Sequence, residues 1–172
     1  DTQIPSVALA GGEIKLPRFQ RHEAWDKGRI ASLMRTIAED LPLGITLVLT
    51  VGEEEKFESR YLETAPDNGP RVLEHLLDGQ QRLTALWRTL HNNYEHFTYF
   101  VYLPEWDKHG EQDSETMEVY QWGRFMRNGQ RYPLWCDRPE DCLRRGLIPT
   151  NLLKPEDIQA EIDQWIDEAT RG

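Results

Sequence analysis

The side chains best suited to chemistry lie where a predicted strand passes into a predicted helix. The strand is the hydrophobic stretch at residues 72–77, and the helix is the amphipathic stretch that follows. The connecting sequence is Asp78-Gly79-Gln80-Gln81-Arg82. A glycine at such a junction lets the backbone approach a ligand closely, so Gly79 is a predicted ligand-binding residue. The first turn of the helix presents unpaired N–H groups and the positive end of the helix dipole. The junction is therefore predicted to bind an anion such as a phosphate group.

Two charged residues of this junction are the candidate catalytic groups. Arg82, one turn into the predicted helix, is placed to make a forked, charge-assisted contact with phosphate oxygens. Asp78 by itself would repel a phosphate. Its presence therefore indicates either a bridging Mg²⁺ or a group that accepts a proton from water or from a ribose hydroxyl. Asp78 and Arg82 are the predicted catalytic residues, and Asp78 is also the predicted Mg²⁺ ligand.

A purely structural interpretation accounts for part of the same pattern. Asp78 could be the N-cap of the helix, with Gln81 reaching back to it in a capping box. Such a cap typically stabilises a protein by about 1 kcal/mol and requires no ligand. It leaves unexplained why two glutamines and an arginine follow one another directly after a strand. The residues alone leave both interpretations open.

The elements that must position these residues alternate between strand and helix. A short strand at residues 14–17 leads into a loop that ends near Trp25, and Asp26 suits the N-cap of the helix that follows. Helical spacing of apolar residues predicts that this helix extends to Leu41, where Pro42 ends it. Its apolar stripe consists of Ile30, Leu33, Met34, Ile37 and Leu41.

The remaining elements complete an α+β pattern. Strands are predicted at residues 45–51, 72–77, 97–103 and 132–135, a hairpin at residues 57–61, and a last helix at residues 155–169. The stretch at residues 45–51 is the strongest strand signal because it is rich in β-branched residues and leucine. The apolar face of the helix after the junction consists of Leu83, Leu86, Trp87 and Leu90. Interleaved strands and helices predict a small mixed sheet flanked by helices.

The composition is that of a globular domain. The chain has 172 residues, 38% of them hydrophobic, which is enough to bury a core. The net charge of −10 argues against a protein that coats DNA by itself, although basic residues outnumber acidic ones in residues 13–38. No apolar run approaches the roughly 18–20 residues that span a bilayer, and two cysteines predict no disulfide framework. We therefore expect a cytoplasmic protein without a membrane partner.

The string DGQQRLT, residues 78–84, resembles the characteristic motif of the N-terminal domain of GmrSD-type modification-dependent restriction endonucleases, a bacterial anti-phage family. A second matching element, LPRFQR at residues 16–21, lies upstream and is followed by Trp25. The helix after it, the turn at residues 42–44 and the strand through Val51 follow the family's order. The resemblance covers residues 4–104 and extends weakly through residues 147–149 into the last helix.

This resemblance implies a ParB/sulfiredoxin-like fold and a module that binds and hydrolyses nucleoside triphosphates to power or license DNA cleavage. The phosphate site that it implies is lined by Asp78, Gln80, Gln81 and Arg82, with Gln20 and Arg21 contributed by the upstream loop. Trp25, beside that basic loop, is a candidate for stacking on a nucleobase. The motif contains no cysteine, which excludes the redox chemistry of the sulfiredoxin branch. The chain has Ala85 where many members of that family have a second threonine, and this position lies after the motif.

The predicted organisation has no nuclease. Residues 1–104 are predicted to form the nucleotide-binding core, and residues 105–172 a C-terminal extension of the same domain, irregular at first and helical at its end. The five histidines lack the His-Asn-His constellation that family members carry. The chain begins with Asp1, and we expect either a fragment or a protein whose nuclease is a separate subunit. DNA is then a partner only through the full-length protein or a partner nuclease.

The leading hypothesis is an Mg²⁺-dependent NTPase domain of a bacterial anti-phage restriction system. An alternative is a non-catalytic module that recognises DNA or a partner subunit and uses nucleotide only as a switch. A third is a structural domain whose motif caps a helix. Turnover separates the first from the second, and stabilisation by nucleotide separates both from the third, because a ligand that binds only the folded state stabilises it. The nucleobase, the DNA modification and a homo-oligomeric state are left open.

Overall fold

A computed structural model describes residues 13–67, 71–103, 118–155 and 157–171. The fold is α+β, as predicted, with small sheets and four helices among the described residues. The helices are α1 (Lys27–Ala38), α2 (Gln80–Leu90), α3 (Pro139–Arg144) and α4 (Gln159–Thr170). The strands are β1 (Ile14–Pro17), β2 (Leu47–Thr50), β3 (Ser59–Arg60), β4 (Glu74–Asp78), β5 (Phe97–Tyr102), β6 (Glu118–Gly123), β7 (Phe125–Arg127), β8 (Gln130–Tyr132) and β9 (Leu147–Pro149).

The first sheet positions the predicted site. Its strand order is β2-β4-β1-β3, with β1 parallel to β4 and both outer strands antiparallel to their neighbours. Because β1 and β4 are parallel, their last residues, Pro17 and Asp78, lie at the same edge of the sheet. The loop after β1 and the start of α2 therefore meet at this edge.

The C-terminal part of the chain forms a second sheet of order β6-β5-β9 and a hairpin of β7 and β8. It is joined to the first part by Thr150, whose buried hydroxyl donates to the carbonyls of Thr89 (3.2 Å) and Tyr99 (3.1 Å). The buried side chain of Arg124 donates to Thr98 in β5 (2.9 Å) and to the carbonyl of Tyr132 in β8 (3.3 Å), and so holds the β7–β8 hairpin against β5; it also pairs with Asp137. These contacts hold the C-terminal part of the chain against α2 and β5.

Two clusters of buried apolar side chains lie on either side of α2. One, between α2 and the first sheet, consists of Ile14, Leu16, Leu62, Leu76, Leu83 and Trp87. The other, between α1, α2 and the second sheet, consists of Ile30, Leu33, Met34, Ala85, Leu90, Tyr94, Tyr99 and Val119. Because α2 is packed from both sides, the position of its first turn is set by the core.

Three predicted elements begin or end at the wrong residue. The first helix ends at Ala38, not Leu41, because the chain turns at Asp40, which has φ 53°, and leaves Leu41 52% exposed. The last helix begins at Gln159 rather than Pro155. The strand predicted at residues 132–135 is β8, which ends at Tyr132. Pro133 supplies no N–H for continued pairing, and a 3₁₀ turn begins at Leu134.

Two further differences concern the first sheet. The strongest strand signal, residues 45–51, forms the edge strand β2, which pairs with β4, and all four residues of β2 are exposed. The hairpin predicted at residues 57–61 is instead the short strand β3, which pairs with β1. The start of the predicted core, residues 1–12, and the start of the predicted C-terminal extension, through residue 117, lie outside the described residues. Within the described part of the chain, no helix is long and apolar enough to cross a bilayer.

Candidate functional site

A cavity of about 470 Å³ lies where β4 passes into α2. It is lined by Gln20, Arg21, Trp25, Leu77, Asp78, Gly79, Gln80, Gln81 and Arg82. Every residue predicted for the nucleotide site is in this set, and Leu77 is the one lining residue that was not predicted. The structure therefore brings the two sequence elements, more than fifty positions apart, into one place.

Gly79 makes the turn between strand and helix. Its φ of 94° is in the left-handed region, and a Cβ at this position would lie 3.1 Å from Oγ1 of Thr46. Glycine is required there because other residues would be both strained and crowded. The first hydrogen bond at the start of α2 runs from the N–H of Leu83 to the carbonyl of Gly79 (3.0 Å). The earlier N–H groups have no intrahelical acceptor, and no side chain in the described part of the chain caps them.

The capping-box interpretation of Asp78 is wrong. Asp78 is the last residue of β4, so Gly79 rather than Asp78 occupies the cap position. The carboxylate of Asp78 is 76% exposed and lies 3.8 Å from Nη2 of Arg82. The side chain of Gln81 bonds to the upstream loop instead of reaching back to the cap. The first-turn N–H groups are thus left for water or a ligand.

The glutamines of the motif fasten the upstream loop to α2. Nε2 of Gln80 donates to the carbonyl of Arg21 at 2.5 Å. Nε2 of Gln81 donates to the carbonyl of His22 at 3.1 Å, and its Oε1 accepts the N–H of Ala24 at 2.7 Å. Both amide side chains are therefore used to position the loop, which explains why two glutamines follow one another here.

The same loop is held from the sheet side. Nε2 of Gln20 donates to the carbonyls of Leu76 (2.6 Å) and Leu77 (3.0 Å), and so ties the loop to the end of β4. Nη2 of Arg60 donates to the carbonyls of Gln20 (3.2 Å) and Arg21 (3.0 Å). The backbone of Arg21 is consequently fixed, while its side chain is exposed and has no hydrogen-bond or ion-pair partner among the described residues. The guanidinium of Arg21 is therefore not held by any other described residue.

Arg82 is held more tightly than the sequence suggests. Its guanidinium donates to the carbonyls of Leu43 (2.8 Å) and Ile45, on either side of Gly44. Gly44 has φ 88°, and a Cβ there would lie 2.5 Å from Nη1 of Arg82, so this close approach requires glycine. A guanidinium has five N–H donors, and Arg82 therefore keeps donors for a ligand while it ties the turn before β2 to α2.

A buried ion pair that the sequence did not reveal holds the loop against α2. Glu23, 8% exposed in its side chain, lies 2.5 Å from Nη1 of Arg88 on α2 and accepts the hydroxyl of Tyr94 at 2.6 Å. Burial and the neighbouring Glu23 raise the pKa of Tyr94, so its hydroxyl remains a donor into alkaline solution. The partners are 65 and 71 positions apart in sequence, and no local pattern could have indicated their contact.

A metal ion at this cavity would have one carboxylate ligand from the described residues. No group of three or more His, Cys, Asp or Glu side chains able to hold a metal occurs in the described parts of the chain, and Asp78 is the one acidic residue that lines the cavity. Mg²⁺ is commonly held by one or two carboxylates together with the phosphates of a substrate. The donor set therefore fits Mg²⁺ brought in with a nucleotide, held by Asp78 and the phosphate oxygens, rather than a preformed metal cage.

Comparison with known proteins gives one family. The family model described as GmrSD restriction endonuclease, N-terminal domain, matches residues 6–162. An uncharacterized protein from Methanocaldococcus jannaschii is 31% identical over 87 residues, which are 47% of this chain and 15% of that relative. The chain thus spans well under a fifth of that relative's length. No solved structure matches the chain, so the ParB/sulfiredoxin-like relationship stays a prediction.

Proposed function

We propose that this chain, which belongs to the family of N-terminal domains of GmrSD restriction endonucleases, binds a nucleoside triphosphate at the junction of β4 and α2 and hydrolyses it. One observation carries this proposal: a helix start without a side-chain cap, an arginine without a partner among the described residues and an exposed carboxylate converge on one cavity of about 470 Å³. Pockets of roughly 300–1,000 Å³ are typical of small-molecule sites. In this proposal, DNA recognition and cleavage belong to the rest of the full-length protein or to a partner nuclease.

Phosphate binding follows from the charges of the cavity. The first-turn N–H groups of α2 and the positive end of its dipole attract phosphate oxygens. The guanidinium of Arg21 has no competing partner among the described residues, so it is free to make charge-assisted hydrogen bonds to those oxygens. Arg82, fixed at the start of α2 by its two carbonyl contacts, adds positive charge without having to reorganise.

Hydrolysis requires a water aligned with the terminal phosphorus. The water oxygen forms a bond to phosphorus, the bond to the bridging oxygen breaks, and the diphosphate leaves with that electron pair. Asp78 orients the water, whose proton passes to an oxygen of the transferred phosphoryl group, while Arg21, Arg82 and the N–H groups stabilise the charge on the phosphoryl oxygens. A bound Mg²⁺ would neutralise charge on the bridging phosphates.

A second function is favoured by one specific observation. Among the residues that the structure describes, Asp78 is the one carboxylate that lines the cavity, and it is largely exposed to solvent. A site with a single exposed carboxylate can bind a nucleotide tightly yet align water poorly. The chain would then act as a nucleotide-controlled switch that recognises DNA or a partner subunit without turnover.

The test is a panel of ATP, GTP, CTP and UTP, with and without Mg²⁺, on the wild type and on Asp78→Asn. At a nucleotide concentration a hundred times Kd, stabilisation is about 2.7 kcal/mol, which corresponds to a rise in Tm of roughly 5–10 °C for a chain of this length. We expect this rise in both proteins and Mg²⁺-dependent phosphate release only in the wild type. A rise without release supports the switch. Absence of any rise contradicts both functions.

A further inference from the structure

A second cavity of about 540 Å³ adjoins the first. It lies between the first turns of α1 and the turn before β2. Trp25 and Arg82 line both cavities and therefore form the wall between them. Because the two cavities share these side chains, the second lies next to any ligand that occupies the first.

The shared wall is held in place. Trp25 is half-buried and packs against the cluster between α1 and α2, so one part of its indole is fixed by the core. Arg82 is fixed by the carbonyls of Leu43 and Ile45. An immobilised aromatic ring costs little conformational entropy when a planar ligand packs on it.

The two cavities differ in chemistry. The first is lined mainly by charged and amide side chains, which suit phosphate. The second combines the indole of Trp25 with the apolar side chains of Leu33, Pro42 and Leu43. Its polar lining residues include Ser32, whose hydroxyl has no partner among the described residues, and the exposed Arg29, which lies 3.8 Å from Asp26, also a lining residue. Apolar walls with a few polar groups at the edge are typical of sites that hold the ring of a small molecule.

We propose that the second cavity holds the nucleoside of the bound nucleotide, an inference that rests on the proposed function. The phosphates lie at the start of α2, and the base packs beside Trp25 with its polar edge toward Ser32 and Arg29 on α1. The specificity-determining residues are then on α1, outside the DGQQR motif. The site is one for a nucleoside polyphosphate rather than for an inorganic phosphate chain.

The experiment compares inorganic tripolyphosphate with ATP, GTP, CTP and UTP by calorimetry. The variant Ser32→Trp fills the second cavity from an exposed helical position. We expect the wild type to bind its preferred nucleotide at least about tenfold more tightly than tripolyphosphate. In Ser32→Trp, the affinity for that nucleotide falls to that for tripolyphosphate, which itself is unchanged. Ala160→Trp, at an exposed position of α4 that lines neither cavity, is the matched control and binds both ligands like the wild type.

A second variant distinguishes loss of the nucleoside site from an effect of Ser32→Trp on folding. Arg29→Ala removes an exposed side chain from the edge of the cavity, and we expect it to reduce the difference in affinity among the four nucleotides without changing tripolyphosphate binding. Nucleotide binding unchanged in both variants, or tripolyphosphate binding lost in both, overturns the nucleoside assignment. Failure of the wild type to bind either kind of ligand overturns the proposed function instead.

Discussion

Replacing Arg21 with alanine should weaken nucleotide binding by roughly 10- to 150-fold, the equivalent of losing one charge-assisted hydrogen bond. The expected effect is large because the guanidinium of Arg21 has no partner among the described residues that would compete with a phosphate. The fold should tolerate the change, since the side chain is exposed and only the carbonyl of Arg21 is used in structural hydrogen bonds. Calorimetric titration with nucleotide measures the affinity, and urea unfolding measures the stability.

The matched control is Arg18→Ala in the same loop. Arg18 is equally cationic and exposed, but it pairs with Glu58 at 3.0 Å and does not line the cavity. Its loss should change nucleotide affinity less than about threefold, because exposed charges act weakly over distance in salt. An equal loss of affinity in the two variants would mean that the loop attracts nucleotide only by its net charge. An unchanged affinity in Arg21→Ala would remove Arg21 from the site.

Replacing Arg88 with alanine should lower the free energy of unfolding by about 3–5 kcal/mol, the usual cost of leaving one member of a buried ion pair without its partner. Glu23 and Arg88 are 8% and 15% exposed in their side chains, so water cannot readily replace the lost guanidinium. Tyr94 would still donate to Glu23 but would bring no positive charge. Urea unfolding monitored by circular dichroism measures the loss.

A double variant separates the ion pair from simple packing. Glu23→Gln combined with Arg88→Met removes both charges and keeps most of the side-chain volume, so it should be clearly more stable than Arg88→Ala. Glu23 also anchors the loop that carries Arg21, and Arg88→Ala should therefore weaken nucleotide binding even where the protein is folded. A loss of stability below about 1 kcal/mol in Arg88→Ala, or a double variant no better than the single one, would contradict this role of the pair.

The sequence predicts the site better than it predicts the sheet that carries it. A strand leading into Asp78, a glycine turn and an amphipathic helix are all local features, and each was recognisable from neighbouring residues, although the strand ends one residue later than predicted. The resemblance supplied the contact between that turn and Gln20 and Arg21, which the parallel pairing of β1 with β4 produces. Periodicity could not show that β2 lies at an edge, because an apolar strand has the same pattern whether one or both of its sides are paired.

The functions of individual side chains were harder to predict than their location. Gln80 and Gln81 were expected at the phosphates, yet their amides bond the upstream loop. Arg82 was expected to contact phosphate oxygens, and it also holds the turn around Gly44. Each of these contacts joins residues 37–59 positions apart. Long-range partners of this kind depend on the tertiary fold, and a single sequence carries no signal for them.

The most direct test of the central claim is a titration of ¹⁵N-labelled protein with nucleotide, followed by two-dimensional ¹H–¹⁵N NMR. If phosphates bind at the start of α2, the largest saturable shifts will be those of the backbone amides of Gly79, Gln80, Gln81 and Arg82. Inorganic tripolyphosphate should reproduce these shifts, because it presents the same oxygens to the same N–H groups. Saturable binding that leaves these four amides unmoved, or no saturable shift with any nucleotide at millimolar concentration, would contradict the assignment of this junction as a nucleotide site.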